Sequence, residues 1–389
     1  MQSDPTVFAQ VLAGLDPKEL ARAAAKYPMP RASRSLTTYD HFAAMVFAQL
    51  TYREGLRGIE ACLGLRSERA YHMGIRGRIT RTNLAYANEH RDWRVFADVA
   101  AVLMRRARRL YTDSPFELGL EADLFALNAT LIELSLALFP WARWQKDQAS
   151  LKLNVLLDLR EDIPVFASLH EGNRHEVGSL DEIPVDTGSY YVLDRGYLDF
   201  VRLYSLHLAG AFFVTRLKAG ICFYVAQSRP VDRTTGLRCD QTIRLNSRKG
   251  KKAYPEPLRR ISFVDAESGQ NLVFLTNQFA LPALLIAQIY RRRWGIELFW
   301  RWLKQHLRLR GFFSTSFNGV RVQIWTALCA YLLIAIAKQR KHLTASLYEI
   351  LQIVSVSSLE QVPLEALFVK VDTRIDQVDI HKQLEINYS

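Results

Sequence analysis

The sequence predicts an α+β protein: a helical N-terminal domain over residues 1–112, a mixed sheet flanked by helices over 119–338, and a helical tail over 339–389. Three observations carry that prediction. Residues 6–111 show no period-2 alternation. From Leu124 onward, short apolar runs of strand length are divided by turn residues. From Leu281 the apolar residues return to helical spacing.

Within the first stretch, Thr38 or Asp40 is placed to cap a helix running from His41 to Leu50. A turn marked by Gly55 and Gly58 leads to a short helix through Ile59 to Leu63. A longer helix, Trp93 to Leu110, gathers Arg105, Arg106, Arg108 and Arg109 at its negative end. In the second stretch Leu124–Leu127 reads as a short buried strand. Leu151–Leu157 and Val165–Leu169, joined through Arg160–Pro164, carry a hairpin signature. Tyr190–Leu193 is a buried strand, followed by a helix over Asp199–Leu208 and a strand over Ala211–Arg216. Three strands in series, then strand–helix–strand, is the order of a ribonuclease-H-like mixed sheet. Residues 220–277 hold short β-like pieces around the basic loop Arg248–Lys252 and read as an inserted β subdomain. The longest apolar run, Trp325 to Ala337, is too short to span a bilayer and is expected as a buried helix, so no membrane partner is expected.

Composition narrows the function classes. A chain of 389 residues with 49% hydrophobic and 23% charged residues is an ordinary globular protein. Its four cysteines, Cys62, Cys222, Cys239 and Cys329, share no metal-ligand spacing and read as reduced packing residues of a cytosolic protein. Met1 to Asp16 lacks a secretory pattern. The net charge of +12 is concentrated in two stretches, Arg66–Arg109 and Tyr290–Arg310, and the rest of the chain is close to neutral. Clustered Arg interleaved with Tyr and Trp points to a polyanionic partner, nucleic acid above all, although solvated helix faces would give the same pattern.

The segment Leu281–Arg310 is the most informative. On a helical wheel at about 100° per residue, Tyr290, Arg293, Glu297 and Lys304 fall within an arc of about 60°. Leu285, Ile289, Ile296, Leu303 and Leu307 form a neighbouring apolar stripe. One carboxylate flanked by cations suits a place where a metal ion and phosphates meet. An exposed Arg293–Glu297 ion pair accounts for the same spacing at a few tenths of a kcal/mol.

Tyr290-x-x-Arg293-x-x-x-Glu297-x-x-x-x-x-x-Lys304 resembles, at every position, the Tyr-Arg-Glu-Lys signature of insertion-sequence-four type transposases of the DDE class. Asp194–Arg195–Gly196–Tyr197 with Asp199–Phe200 resembles the second acidic motif of that family, and the likeness covers most of the chain. The resemblance implies two Mg²⁺ ions, with Mn²⁺ able to substitute, held by three acids beside a ribonuclease-H-like sheet. Asp194 would be the second acid and Glu297 the third, both as metal ligands. Tyr290, Arg293 and Lys304 would touch DNA phosphates. The implied partners are double-stranded transposon terminal repeats and target DNA, bound by a homodimer in the nucleoid-associated cytoplasm of a bacterium.

One position departs from the pattern. The first acid belongs at the end of the first strand, where this chain reads Ala126–Leu127–Asn128–Ala129–Thr130. Asn128 keeps the shape of Asp and loses the charge that both ions would share. Asp123 and Glu133, five residues to either side, face away from Asn128 on an extended strand. Impaired strand cleavage with DNA binding retained is therefore expected. The alternatives are a non-catalytic DNA-binding relic, a nuclease of the same fold with another substrate, and a basic RNA-binding or structural protein, the last of which leaves the Tyr290–Lys304 pattern unexplained.

Overall fold

A computed structural model describes residues 5–29, 36–64, 67–112, 119–146, 148–266, 269–306 and 311–368. Arg66, Leu307 and the part of the expected tail beyond residue 368 lie outside the described residues.

Among the described residues seven helices precede the sheet: α1 (Val7–Leu12), α2 (Pro17–Lys26), α3 (Thr38–Leu50), α4 (Leu56–Gly64), α5 (Ser67–His72), α6 (Arg81–His90) and α7 (Arg94–Tyr111). Their starts follow local chemistry. Asp16 caps α2 with Pro17 at the first helical position, and Glu19 completes a capping box. The cap of α3 is Thr37 rather than Thr38 or Asp40. Asp40 instead occupies the third helical position and bonds back to the Thr37 backbone, the acidic half of a capping box.

The sheet has ten strands: β1 (Leu124–Leu134), β2 (Arg143–Gln145), β3 (Gln148–Asp158), β4 (Ile163–Glu171), β5 (Tyr190–Leu193), β6 (Phe212–Arg216), β7 (Phe223–Arg229), β8 (Leu237–Leu245), β9 (Leu258–Val264) and β10 (Asn271–Thr276). Its order is β2-β3-β1-β5-β6-β10-β9-β8-β7, with β4 also paired to β3. β1, β5 and β6 run parallel, and their antiparallel neighbours make the sheet mixed. α8 (Phe200–Leu208) links β5 to β6, the long connection that a parallel pair requires.

Residues 220–277 extend the main sheet. β10 pairs antiparallel with β6, and β9, β8 and β7 follow outward in the same sheet. The outer edge of β6 would otherwise expose unpaired backbone groups, and β10 covers it. The expected basic loop at 248–252 is instead a short helix, α9 (Arg248–Ala253), started by the Ser247 hydroxyl, which accepts from the Gly250 N–H.

The expected continuous helix from Leu281 is broken in two, α10 (Ala283–Arg291) and α11 (Trp294–His306). The Arg293 N–H bonds the Tyr290 carbonyl and the Gly295 N–H bonds the Arg292 carbonyl, each at 3.0 Å, a tighter winding than an α-helix has. Gly295 favours the break, because glycine holds helices poorly and a Cβ there would lie 2.7 Å from Asp162 Oδ1.

Alternation along the strands divides the core. Phe125, Leu127, Tyr191, Leu193 and Phe213 join α8 on one face. Ala126, Val192 and Val214 face the other way and share a core with Ile289, Ile296 and Leu303 of α10 and α11. That second core continues without interruption into the N-terminal helices. Through it runs α12 (Phe317–Arg340), followed by α13 (Leu347–Ser357). Trp325 stacks with Trp93 at 6.4 Å, and Asn318 Nδ2 donates to the carbonyls of Asn88 and Arg91. α12 is long and apolar enough to cross a membrane by length and composition, and its apolar window is entirely buried in the protein.

Candidate active site

Strand register places the site. Leu127 of β1, Leu193 of β5 and Thr215 of β6 stand side by side. The next residue on each strand, Asn128, Asp194 and Arg216, therefore forms a row on the opposite face, toward α10 and α11. β5 ends at Leu193 while β1 continues to Leu134, so the row lies in a crevice at the carboxyl end of the parallel strands. Asn128 and Asp194 are oriented alike: each side-chain Oδ1 accepts the N–H of the following residue, Ala129 at 2.8 Å and Arg195 at 2.7 Å.

From above, α11 brings Glu297 onto this row. Its Oε1 accepts from Arg293 Nη1 at 2.8 Å and from Asn128 Nδ2 at 3.2 Å. Arg293 lies 5.9 Å over the Tyr290 ring, and Tyr290 leans on Phe274 at 4.9 Å. The wheel alignment fails at the α10–α11 break, yet Tyr290, Arg293 and Glu297 converge because the tight turn preserves their neighbourhood. Lys304 stands two turns further along α11, about 10 Å away, and is half-buried.

Burial raises the Tyr290 phenol above its ordinary range, with Asp194 adding to the shift and Arg293 opposing it. Tyr290 is thus a neutral hydrogen-bond donor at physiological pH. Burial alone would lower the Arg293 guanidinium, but Tyr290, Glu297 and Asp194 together hold it above its usual value. Both carboxylates therefore bear on one cation, and the two acidic segments meet in space.

Two carboxylates, Asp194 and Glu297, flank Asn128. Among the described residues no group of three His, Cys, Asp or Glu side chains is placed to hold a metal ion. Asp123 is engaged elsewhere, 3.0 Å from Arg108 and 3.2 Å from Arg160, and Glu133 is exposed. Asp194 and Glu297 are donors of the kind a hard divalent cation takes, commonly one or two carboxylates plus substrate phosphates. They do not supply the shared third acid of a two-ion centre. Asn128 turns its amide nitrogen toward Glu297, a donor that cannot ligate a cation.

Arg216 escaped the sequence reading. It is 22 residues from Asp194, and strand register alone makes them neighbours. A cleft of about 810 Å³ adjoins the site, lined by Arg216, Tyr290, Arg291, Arg293, Trp294 and Asp162 among others. Asn154 and His170 belong to the opposite sheet face as polar packing: Asn154 bonds Ser168, and His170 bonds Ser168 and Glu182.

Residues 119–333 match the transposase DDE domain family. The chain belongs to the DDE transposase family. A putative transposase of Sinorhizobium fredii is 34% identical over 269 residues, 67% of this chain and 72% of that protein. The probable transposase of a Geobacillus stearothermophilus insertion sequence element is 29% identical over 213 residues, 54% of this chain and 55% of that one. The putative transposase of a Synechocystis insertion sequence element is 24% identical over 252 residues, 64% and 69% of the two chains. This transposase is thus an enzyme of the insertion-sequence type, from a family that generally uses divalent metal ions. A domain family of unknown function matches residues 3–76.

Proposed function

We propose that this transposase binds the terminal inverted repeats of a bacterial insertion sequence and cuts and joins DNA at the Asn128–Asp194–Glu297 crevice, at a rate depressed by Asn128. The convergence of Asp194, Glu297 and Arg293 beside the parallel strand ends carries this reading. In the finer assignment the chain is of the insertion-sequence-four type. β4-β3-β1-β5-β6 is its ribonuclease-H-like sheet, residues 1–112 contact the repeat, and a homodimer in the nucleoid-associated cytoplasm is the working form.

Asp194 and Glu297 would hold a divalent ion, Mg²⁺ or Mn²⁺, which when bound supplies Lewis-acid activation of the attacking and leaving oxygens. The chain's own residues bind and orient the strand. Arg293, pinned by Glu297 and backed by Tyr290, offers a fixed fork to a phosphate, and Tyr290 adds a neutral hydroxyl donor. Lys304 extends the cationic track. Asn128 occupies the place of a charge with a neutral amide, so the negative field that gathers cations there is weakened. A second reading, a DNA-binding protein with no cleavage activity, is favoured by that same amide. Cleavage of labelled element-end DNA by the unsubstituted chain and by Asn128→Asp decides between the two. The Asp variant is expected to cut faster by on the order of 100-fold, the usual scale for one preorganised electrostatic group. Equal rates would overturn the role given to Asn128.

A further inference from the structure

The basic stretch Arg66–Arg109 is not uniformly available to a polyanion. Arg91 is buried and donates to the carbonyls of Leu36 and Thr37. Arg94 pairs with Asp92, Arg106 with Glu19, and Arg108 with Asp123 and Asp186. The loop between α5 and α6 differs. Ile75 and Ile79 are buried at its two ends, 3% and 4% exposed, and between them Arg76 and Arg78 are exposed on either side of Gly77. Asp40 Oδ1 accepts the Arg76 N–H at 2.9 Å, so the loop backbone is tied to the capping box of α3. Gly74, at φ +82°, makes the turn against Tyr39, whose hydroxyl would lie 2.9 Å from an added Cβ. The Arg76 guanidinium lies 3.7 Å over the ring of Tyr71, itself 58% exposed. A groove of about 520 Å³ runs alongside, and Glu60 is its one acidic lining residue among those described. Arg57 and Arg81 are exposed nearby.

We propose that the Arg76–Gly77–Arg78 loop, with Tyr71, is a contact surface for duplex DNA. The inference rests on the transposase reading above, and Tyr71 and Arg76 fall within residues 3–76, the stretch that matches a domain family of unknown function. Arg76, stacked on Tyr71 in a loop tied to α3, loses little entropy on binding, and the stacking presents its fork as a plane suited to a base edge or a narrow minor groove. Each phosphate that the loop neutralises adds about 0.9 to the salt slope of binding to duplex DNA.

The test uses the full chain and labelled duplexes carrying the element's ends, titrated by fluorescence anisotropy across a series of salt concentrations. Arg76→Ala/Arg78→Ala is expected to weaken binding about tenfold or more and to flatten the salt slope by about 2. The Lys/Lys double variant should recover the slope, which separates lost charge from lost folding. Arg94→Ala, which removes an ion-paired arginine, should bind as the unsubstituted chain does. An Ala/Ala variant with unchanged affinity and slope would overturn the loop assignment while leaving the transposase reading intact. Failure of the unsubstituted chain to bind would remove both.

Discussion

Asn128 sets a neutral amide beside Asp194 and against Glu297. Its amide keeps the Ala129 N–H bond that Asp would make and adds a bond to Glu297, so the crevice is locally satisfied with two negative charges. His41 shows the same economy away from the site. It is fully buried, with Nε2 facing Asn88 Oδ1 at 2.8 Å, and burial pulls its pKa down to about 3. The native state therefore holds a neutral ring, whereas the unfolded chain takes up a proton below about 6.5. Stability from this group is present above pH 6.5 and lost as pH falls toward 3, by about 2 kcal/mol at pH 5. Denaturant unfolding at pH 7.5 and 5 should show that loss, and His41→Gln should remove it. An unchanged pH slope in the variant would contradict the assignment. At this scale motif spacing singles out Asp194 and Glu297, and the structure sets Asn128 beside the first and in hydrogen bond with the second. Arg216 and the ion-paired arginines were not legible in the sequence, because strand register and partners from distant segments decide their surroundings.

Among the elements, the α10–α11 break matters most, because it sets the start of the helix that carries Glu297. The break presses on the β3–β4 turn, where Asp162 sits at φ +57° and Tyr331 donates to its carbonyl. Burial raises the Asp162 carboxyl to about 6, Arg292 opposing the rise and Glu161 and Asp158 adding to it. A raised carboxyl pKa favours the protonated native form, so stability falls as pH climbs from about 3.8 to 6 and stays lower above. Asp162→Asn is expected to raise stability at pH 7.5 by at most about 3 kcal/mol, less in proportion to its solvent contact, since Asn tolerates positive φ. Melting temperatures at pH 7.5 and 4 test this: the gain should shrink at pH 4, and a variant less stable at pH 7.5 would contradict it. Most strands and long helices were readable from period and turn residues. The break was not, because the wheel assumes one axis and the close approach of Gly295 to Asp162 is a tertiary contact. The extension of the sheet by β7–β10 was hidden for a similar reason, since pairing partners are not written in local alternation.

On the scale of the whole molecule, one core unites the N-terminal helices, α12 and the site-bearing face of the sheet. Trp93–Trp325 stacking and the Tyr111 hydroxyl bond to the Ala335 carbonyl at 2.9 Å tie α7 to α12. The loop around Arg76 and the crevice around Asp194 are thus held by one continuous body. The proposed function has Asp194 and Glu297 share one cation-dependent cleavage centre that lacks a charge at position 128. It is tested most directly by Mg²⁺- and Mn²⁺-dependent nicking of element-end DNA by three variants: Asn128→Asp alone, and the same change combined with Asp194→Ala or Glu297→Ala. Metal-dependent nicking is expected from the first and none from the other two. Undiminished nicking after loss of either carboxylate would contradict it.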